Sequence, residues 1–310
     1  MKMTVAQFYR TSADSGTRET ADLERKEART RHSLHPRAYA RFRFVYPVLS
    51  RRARGVSLGV NLSPDARCSF SCRYCQVDRR GPRSPSRVDV GAIMAEASAI
   101  LDDWAEGTLT AKAGWGPLPL SLLRLNDLAL SGDGEPTQSP LFAQVLEALR
   151  ELLDNRLLES VKLIIITNGS GLSRPSVGRA LGRLRPGHDE IWVKLDWGTQ
   201  KAFRETTGTR RSLTAHLSRV VSASRILPVT IQTCLFGTEA GGPSEAEIKA
   251  YVRSLRFLRK RKADIARVQI YTISRPPADP GLLPLSSGRL DDIARIVRNE
   301  TGFRVETFGA

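Results

Sequence analysis

The chain has 310 residues, 41% of them hydrophobic and 26% charged, a globular composition that excludes a wholly disordered chain. That length suits one large domain or two ordinary ones, and is enough to bury a core without disulfide or metal staples. Apolar runs such as 163–166 and 128–130 fall far short of the ~20 residues that span a bilayer. Residues 1–10 have no apolar signal-peptide core, so a cytoplasmic protein is expected.

Lys and Arg number 48 against 32 Asp and Glu, a net charge of +16. Residues 1–55 hold 13 basic and 5 acidic side chains, a surplus of 8 that is half of the excess. Such a charge suits nucleic acid or another polyanion. An Arg-rich genome gives the same count with no such partner.

Residues 1–43 read as a basic, partly disordered extension with a solvated helix at 22–31, and residues 44–310 as the folded domain. Segment 41–47 alternates weakly, as an extended lead-in does. Strand-then-helix units follow: strands at 56–62, 125–131, 161–167, 191–197, 229–236 and 267–273, helices at 90–104, 139–154, 176–184, 212–225, 244–259 and 288–299. A last short strand is expected at 303–307. Segment 161–167 is nearly all apolar, as in a strand buried on both faces. Ser244 with Glu247 three residues on spells a capping box. Six β-then-α units imply a parallel sheet with right-handed crossovers. They are two short of a closed eight-fold barrel, so the expected fold class is α/β, a six-stranded parallel partial (βα)6 barrel. Ligands of such folds sit at the carboxyl ends of the strands, where the Gly-rich and polar loops of this chain fall.

Three of the four cysteines lie within eight residues, in Cys68-Ser-Phe-Ser-Cys72-Arg-Tyr-Cys75, directly after the first strand. Thiolates are soft ligands that suit zinc and iron–sulfur clusters. Three of them can cap three irons of a cubane and leave the fourth iron open. Zinc wants a fourth Cys or His at short spacing, and no His lies between His35 and His188. Cys234 sits alone inside an expected strand, as a small buried hydrophobe does. His188 and His216 read as core or surface residues, and Trp192 and Trp197 as packing residues. Arg79, Arg80, Arg83 and Arg87 form a basic stretch that suits either phosphates or a solvated loop.

The three-cysteine motif with Tyr74 before its last thiol resembles the signature of the radical S-adenosylmethionine (radical SAM) superfamily. The resemblance implies a 4Fe–4S cluster on Cys68, Cys72 and Cys75, with SAM on the open iron. Reductive cleavage of SAM to a 5′-deoxyadenosyl radical is the implied activity, with the cofactor carrying the hard chemistry. Ser131-Gly-Asp-Gly-Glu-Pro-Thr137 resembles the family's Gly-Gly-Glu element, with Asp133 as a departure from it. Tyr74, Gly132, Gly134 and Glu135 are thereby implied in cofactor binding, Glu135 as the receiver of the methionine ammonium. Asn168, in Thr167-Asn-Gly-Ser170, and Lys194 and Asp196, in Lys194-Leu-Asp196, are implied as contacts to the SAM carboxylate and ribose. Gln232, Tyr271 and Arg275 fall where strand ends face a barrel mouth and are candidate substrate contacts.

Over residues 44–280 the motifs are most similar to the wyosine-synthase-related branch of the superfamily. They include Val45-Tyr-Pro-Val-Leu-Ser-Arg-Arg-Ala-Arg-Gly55, Gln232-Thr-Cys-Leu-Phe236 and Ser274-Arg-Pro-Pro277. Wyosine synthases carry three further cysteines upstream for a second cluster, and none precedes Cys68 here, which disfavours wyosine synthesis itself. The implied substrate is a tRNA base, and the implied partners are a reductant such as flavodoxin or ferredoxin. A protein or peptide substrate, as for activases and maturases, and a non-enzymatic iron–sulfur or zinc protein are the alternatives.

Overall fold

A computed structural model describes residues 39–77, 79 and 87–309. The proposed helix at 22–31, most of the basic extension, and Arg80 and Arg83 lie outside the described residues. Tyr39 is already packed, 3% exposed, with its ring 5.6 Å from that of Phe42 and its hydroxyl donating to Asp103 at 2.5 Å.

Strand β1 (Val45–Ser50) turns through a tight hairpin into β2 (Gly55–Val60) and pairs with it antiparallel. Helices α1 (Val90–Ala105) and the short α2 (Leu109–Lys112) lead to β3 (Leu125–Leu130). Then come α3 (Phe142–Asn155), β4 (Lys162–Thr167), α4 (Pro175–Leu181), β5 (Glu190–Lys194), α5 (Gln200–Thr207), α6 (Leu213–Ser224) and β6 (Val229–Cys234). A two-residue β7 (Phe236–Gly237), α7 (Glu245–Lys260), β8 (Ile265–Tyr271), β9 (Leu283–Pro284), α8 (Ser287–Thr301) and β10 (Val305–Phe308) complete the chain. The main sheet runs β1-β2-β3-β4-β5-β6-β8-β10, parallel from β2 onward.

The expected six-stranded partial barrel is present, the last short strand expected at 303–307 is found as β10, and β1, α2, α5, β7 and β9 are additions. β1 lines one edge antiparallel, β10 extends the parallel run at the other, and α5 precedes α6. β6 stops at Cys234, because Phe236 leaves the sheet to pair with Pro284. Ser244 and Glu247 form the capping box that starts α7.

Side chains alternate along each strand. Leu58, Leu128, Leu163, Ile165, Ile191, Val193, Ile231, Val268 and Ile270 are all but fully buried in one large core that also holds helix residues such as Ile93, Leu149, Val220 and Leu255. The opposite face lines the lumen and is far more polar: Ser57, Asp127, Lys194, Gln232 and Tyr271, with a small apolar patch of Ala129, Ile164 and Trp192. β6 is buried along its whole length, yet its inward face is Thr230, Gln232 and Cys234. Gln232 Nε2 donates to Gln269 Oε1 at 2.9 Å, so burial is matched by pairing.

Candidate functional site

The lumen opens at the carboxyl ends of the strands into a cavity of about 320 Å³. Cys68, Cys72 and Cys75 all line it, and each is a half-buried free thiol. They stand on the loop after β2, which is held from three directions. Asn61 Nδ2 donates to Asp133 Oδ2 at 2.7 Å, while Asn61 Oδ1 accepts from the amides of Ser63 and Asp133 at 2.9 and 3.2 Å. Ser71 and Arg73 amides donate to the carbonyls of Thr207 and Thr206 at the end of α5, at 2.8 and 2.9 Å. The Cys75 carbonyl accepts from the Ala278 amide at 2.8 Å, and Arg73 Nε pairs with Asp279 Oδ2 at 2.8 Å.

Among the described residues, no three Cys, His, Asp or Glu side chains converge tightly enough to hold a single metal ion. A mononuclear zinc site needs such convergence. A cubane does not, because each of its thiolates binds a different iron. Burial pushes the Cys68 and Cys72 thiols up from their ordinary values. The Phe70 amide and the Arg79 charge pull Cys68 back, and the Tyr74 hydroxyl and the Lys194 charge pull Cys72 back. Arg79 Nη1 donates to Cys75 Sγ at 3.0 Å, and Asn168 Nδ2 reaches Cys68 Sγ at 3.6 Å. Among the described residues, Arg79 Nε is buried without a hydrogen-bond partner.

The glycines of the β3 loop are required by space. A Cβ on Gly134 would stand 2.0 Å from the Arg67 carbonyl oxygen, and one on Gly132 (φ +135°) 2.6 Å from Asn61 Oδ1. Both glycines line the cavity. Glu135 lines it too, but its carboxylate is engaged. Oε1 accepts from the Thr137 amide at 3.1 Å, from Thr167 Oγ1 at 2.5 Å and from the Thr137 hydroxyl, and Oε2 from the Asn168 amide at 2.6 Å. Glu135 thus ties the β3 loop to the β4 loop. Burial raises its pKa and the four donors pull it back.

Asn168 lines the cavity beside Cys68, and its Nδ2 also donates to Ser69 Oγ at 3.1 Å. Lys194 ends β5, pairs with Asp196 Oδ1 at 3.2 Å and donates to the Tyr271 hydroxyl. Its ammonium lies 4.7 Å from the Tyr74 ring centroid and 4.5 Å from that of Tyr271. Burial is the largest influence on Lys194 and lowers its pKa; Asp196, Tyr271 and Cys234 together outweigh it, and the net shift is upward. Asp196 stands behind the cavity wall, where Oδ1 accepts the Cys234 amide at 2.8 Å and Oδ2 the Tyr74 hydroxyl at 2.5 Å.

Gln232, Tyr271 and Arg275 all face this cavity, with Arg275 Nη1 donating to Gln76 Oε1 at 3.1 Å. Cys234 is buried in β6, and desolvation pushes its pKa up to about 12. His216 is fully buried and donates from Nε2 to the Lys194 carbonyl at 2.7 Å; burial lowers its pKa to about 4. His188 Nδ1 lies 3.1 Å from Asp189 Oδ1, away from the cavity lining. Trp197 packs with Phe236, whereas Trp192 lines the cavity. The sequence reading missed Arg79 as a thiol partner, although its place four residues after Cys75 is a signal. It also missed Arg52, which has no signal of its own.

No family model matches the chain. A UPF0026 protein of Helicobacter pylori (strain J99) is 27% identical over 234 residues, 74% of this chain and 66% of the relative. A UPF0026 protein of Methanocaldococcus jannaschii is 26% identical over 167 residues, 54% of this chain and 44% of the relative. The chain spans just under two thirds of the length of the first of these. Among solved structures, a radical SAM methyltransferase from Sphaerobacter thermophilus matches with a TM-score of 0.59 and 16% identity, over 85% of this chain and 68% of that one. TYW1 with a lysine–pyruvate adduct bound matches with a TM-score of 0.53 and 12% identity, over 94% and 92%. Streptococcus suis SuiB bound to S-adenosylmethionine matches with a TM-score of 0.53 and 16% identity, over 84% and 53%. The chain therefore has the partial-barrel fold of these solved structures, and its resemblance to the wyosine-synthase-related branch stands on its motifs.

Proposed function

We propose that the protein is a radical SAM enzyme. The observation that carries this is the convergence on one cavity of three thiols from the first βα loop, two space-restricted glycines, the Asn168 turn and Lys194. Cys68, Cys72 and Cys75 would hold a 4Fe–4S cluster, which when bound would supply the electron for reductive cleavage of SAM. The donor set fits the cluster. Arg79 and Asn168 donate toward thiol sulfur, and the unpartnered Arg79 Nε offers one more donor beside Cys75. Hydrogen bonds to sulfur are a main lever on such clusters.

The chain's own residues bind and orient. Gly132 and Gly134 let backbone approach a ligand closely. Glu135 holds the Thr167–Asn168 turn in place, so its part in SAM binding runs through Asn168 as much as through its own charge. Lys194, kept cationic by Asp196, suits a carboxylate. A ligand that fills this lumen would exclude water from it, which protects a radical from side reactions.

Among substrates, a tRNA base is the reading we favour, supported by the branch resemblance and by the charge of +16; a protein or peptide substrate is the rival. Flavodoxin or ferredoxin is the expected reductant. Anaerobic reconstitution followed by dithionite tests the class: 5′-deoxyadenosine must form in a cysteine-dependent way. Zinc bound stoichiometrically with no iron defeats it. Nucleoside mass spectrometry of tRNA from a deletion strain and its parent tests the substrate.

A further inference from the structure

Five cationic side chains reach the cavity, Arg51, Arg52, Arg79, Lys194 and Arg275, against the carboxylates of Asp127 and Glu135. Most of these charges are already committed. Arg79 serves Cys75 Sγ and the carbonyls of Val77 and Asp133, Lys194 serves Asp196, and Glu135 takes four donors of its own.

Arg52 differs. The β1–β2 hairpin carries it into the lumen, where its guanidinium carbon lies 5.0 Å from the ring centroid of Tyr271 and 5.7 Å from that of Trp192. Nη1 donates to Gln232 Oε1 at 3.0 Å. Gln232 is locked in that orientation because its Nε2 donates to Gln269, whose own Nε2 donates to Glu306 Oε2 at 3.3 Å. Among the described residues Arg52 forms no ion pair: it donates to one neutral amide and lies over two rings, and its charge acts on Asp127 only through space. Asp127, the acid nearest in role, is satisfied by Ser57 at 2.5 Å. A guanidinium fixed over aromatic faces keeps its planar fork free for a carboxylate or phosphate. The hairpin also ties across the open side of the barrel, since Arg51 donates to the Gly309 carbonyl and, at 2.6 Å, to Ser274 Oγ. Arg52 is thereby held in place from its neighbour.

We propose that Arg52 receives a carboxylate or phosphate group of the substrate, beneath the loop that carries the three cysteines. As a statement about substrate this rests on the radical SAM reading; as a statement about an anion site it does not.

The test uses anaerobically reconstituted protein saturated with SAM, so that the SAM carboxylate already occupies its own site. Inorganic phosphate and succinate are titrated separately at an ionic strength held constant with chloride, and the thermal midpoint is followed. At least one anion gives a saturable rise, and which one does so names the group. R52Q weakens that response at least tenfold, and R52K, which keeps charge but loses the fork, weakens it by a smaller factor. If R52Q does not fold, R52K alone carries the comparison. No saturable rise with either anion in the wild type, or variants that respond like the wild type, overturns the proposal. Iron content and the spectral response to SAM are read in the same samples, so failure of the radical SAM reading shows there and not in the anion titration.

Discussion

The hydroxyl of Tyr74 donates to Asp196 Oδ2 at 2.5 Å, joining the cysteine loop to the end of the fourth parallel strand. Asp196 is 1% exposed and also holds the Cys234 amide and the Lys194 ammonium. Y74F removes one donor from a buried carboxylate and should cost about 1–3 kcal/mol. It should also loosen the register of Cys72 and Cys75 against Lys194. The check is the thermal midpoint and the SAM affinity of reconstituted protein, both of which should fall. Unchanged values would mean that the tie is idle.

C68A, C72A and C75A should each abolish binding of about four irons per chain and the accompanying 4Fe–4S spectrum. C234A should retain both. Cys234 is a buried thiol whose pKa is held near 12, and its sulfur fills space beside Trp197 and Phe236. Iron analysis after anaerobic reconstitution separates the two outcomes. R79Q should keep the cluster but shift its reduction potential, because a charged donor to Cys75 Sγ is lost.

G134A should be more damaging than any surface change nearby. Its Cβ would meet the Arg67 carbonyl at 2.0 Å and Ser63 Cβ at 2.5 Å, both on the cysteine loop. Backbone cannot yield as a flexible side chain can, so the loop must move. Loss of iron binding with the overall circular dichroism retained is the expected result. E135A should lower the thermal midpoint and weaken SAM binding together, as four donors lose one acceptor. Each hydrogen bond to a charged acceptor is worth about 1.5–3 kcal/mol.

In apo protein Asp127 and His216 should contribute opposing slopes to the pH dependence of stability, with the buried Glu135, whose pKa is also raised, adding to the Asp127 side. Burial raises Asp127 from 3.8 to about 7, against the pull of Ser57, and lowers His216 from 6.5 to about 4. Between about pH 4 and 6.5 the folded state binds a proton at Asp127 that the unfolded state lacks, so that group's contribution falls as pH rises. Over the same window the unfolded state binds a proton at His216 that the folded state lacks, so that contribution rises with pH. The two slopes oppose. D127N should expose the His216 limb, with stability lost below about pH 6.5. H216N should expose the Asp127 limb, with stability falling as pH rises toward 7. Each limb spans on the order of 3–4 kcal/mol. Thermal midpoints of the three proteins from pH 4 to 8 decide it, and parallel curves would refute it.

Much of this architecture was legible. All six strand-then-helix units stand near their expected bounds, because each strand carries apolar residues, in a run or in alternation, between turn residues and each long helix a periodic face. The cysteine loop, Gly134, Asn168 and Lys194 fell together because strand order alone puts the loops after successive parallel strands at one end. What stayed hidden depends on distance through space. β1 was only a weak alternation until β2 paired with it. Helix α5 is eight residues, too short for periodicity to declare itself. Nothing in Ser50-Arg-Arg-Ala-Arg54 marks Arg52 as a lumen residue, since the hairpin's inward fold is a tertiary fact. Segment 161–167 was read as a buried strand apart from Lys162 and Thr167; that Lys162 pairs with Glu190 at 2.7 Å is a contact that only the fold shows. Glu135 was read as facing a ligand, and its role as a brace between two loops could only be seen once Thr137, Thr167 and Asn168 were placed.

The two-faced sheet has a consequence for how this chain can change over time. Helix-facing positions such as Leu58, Leu128, Ile165 and Val193 carry the hydrophobic stability, whereas their immediate neighbours in sequence, such as Ser57, Asp127, Ile166 and Lys194, face the ligand space. Selection on fold and selection on specificity therefore act on alternate residues of the same short strands. A saturation library along β3 to β6 should show tolerance with a period of two: folded yield sensitive at one set of positions, and ligand preference free to drift at the other.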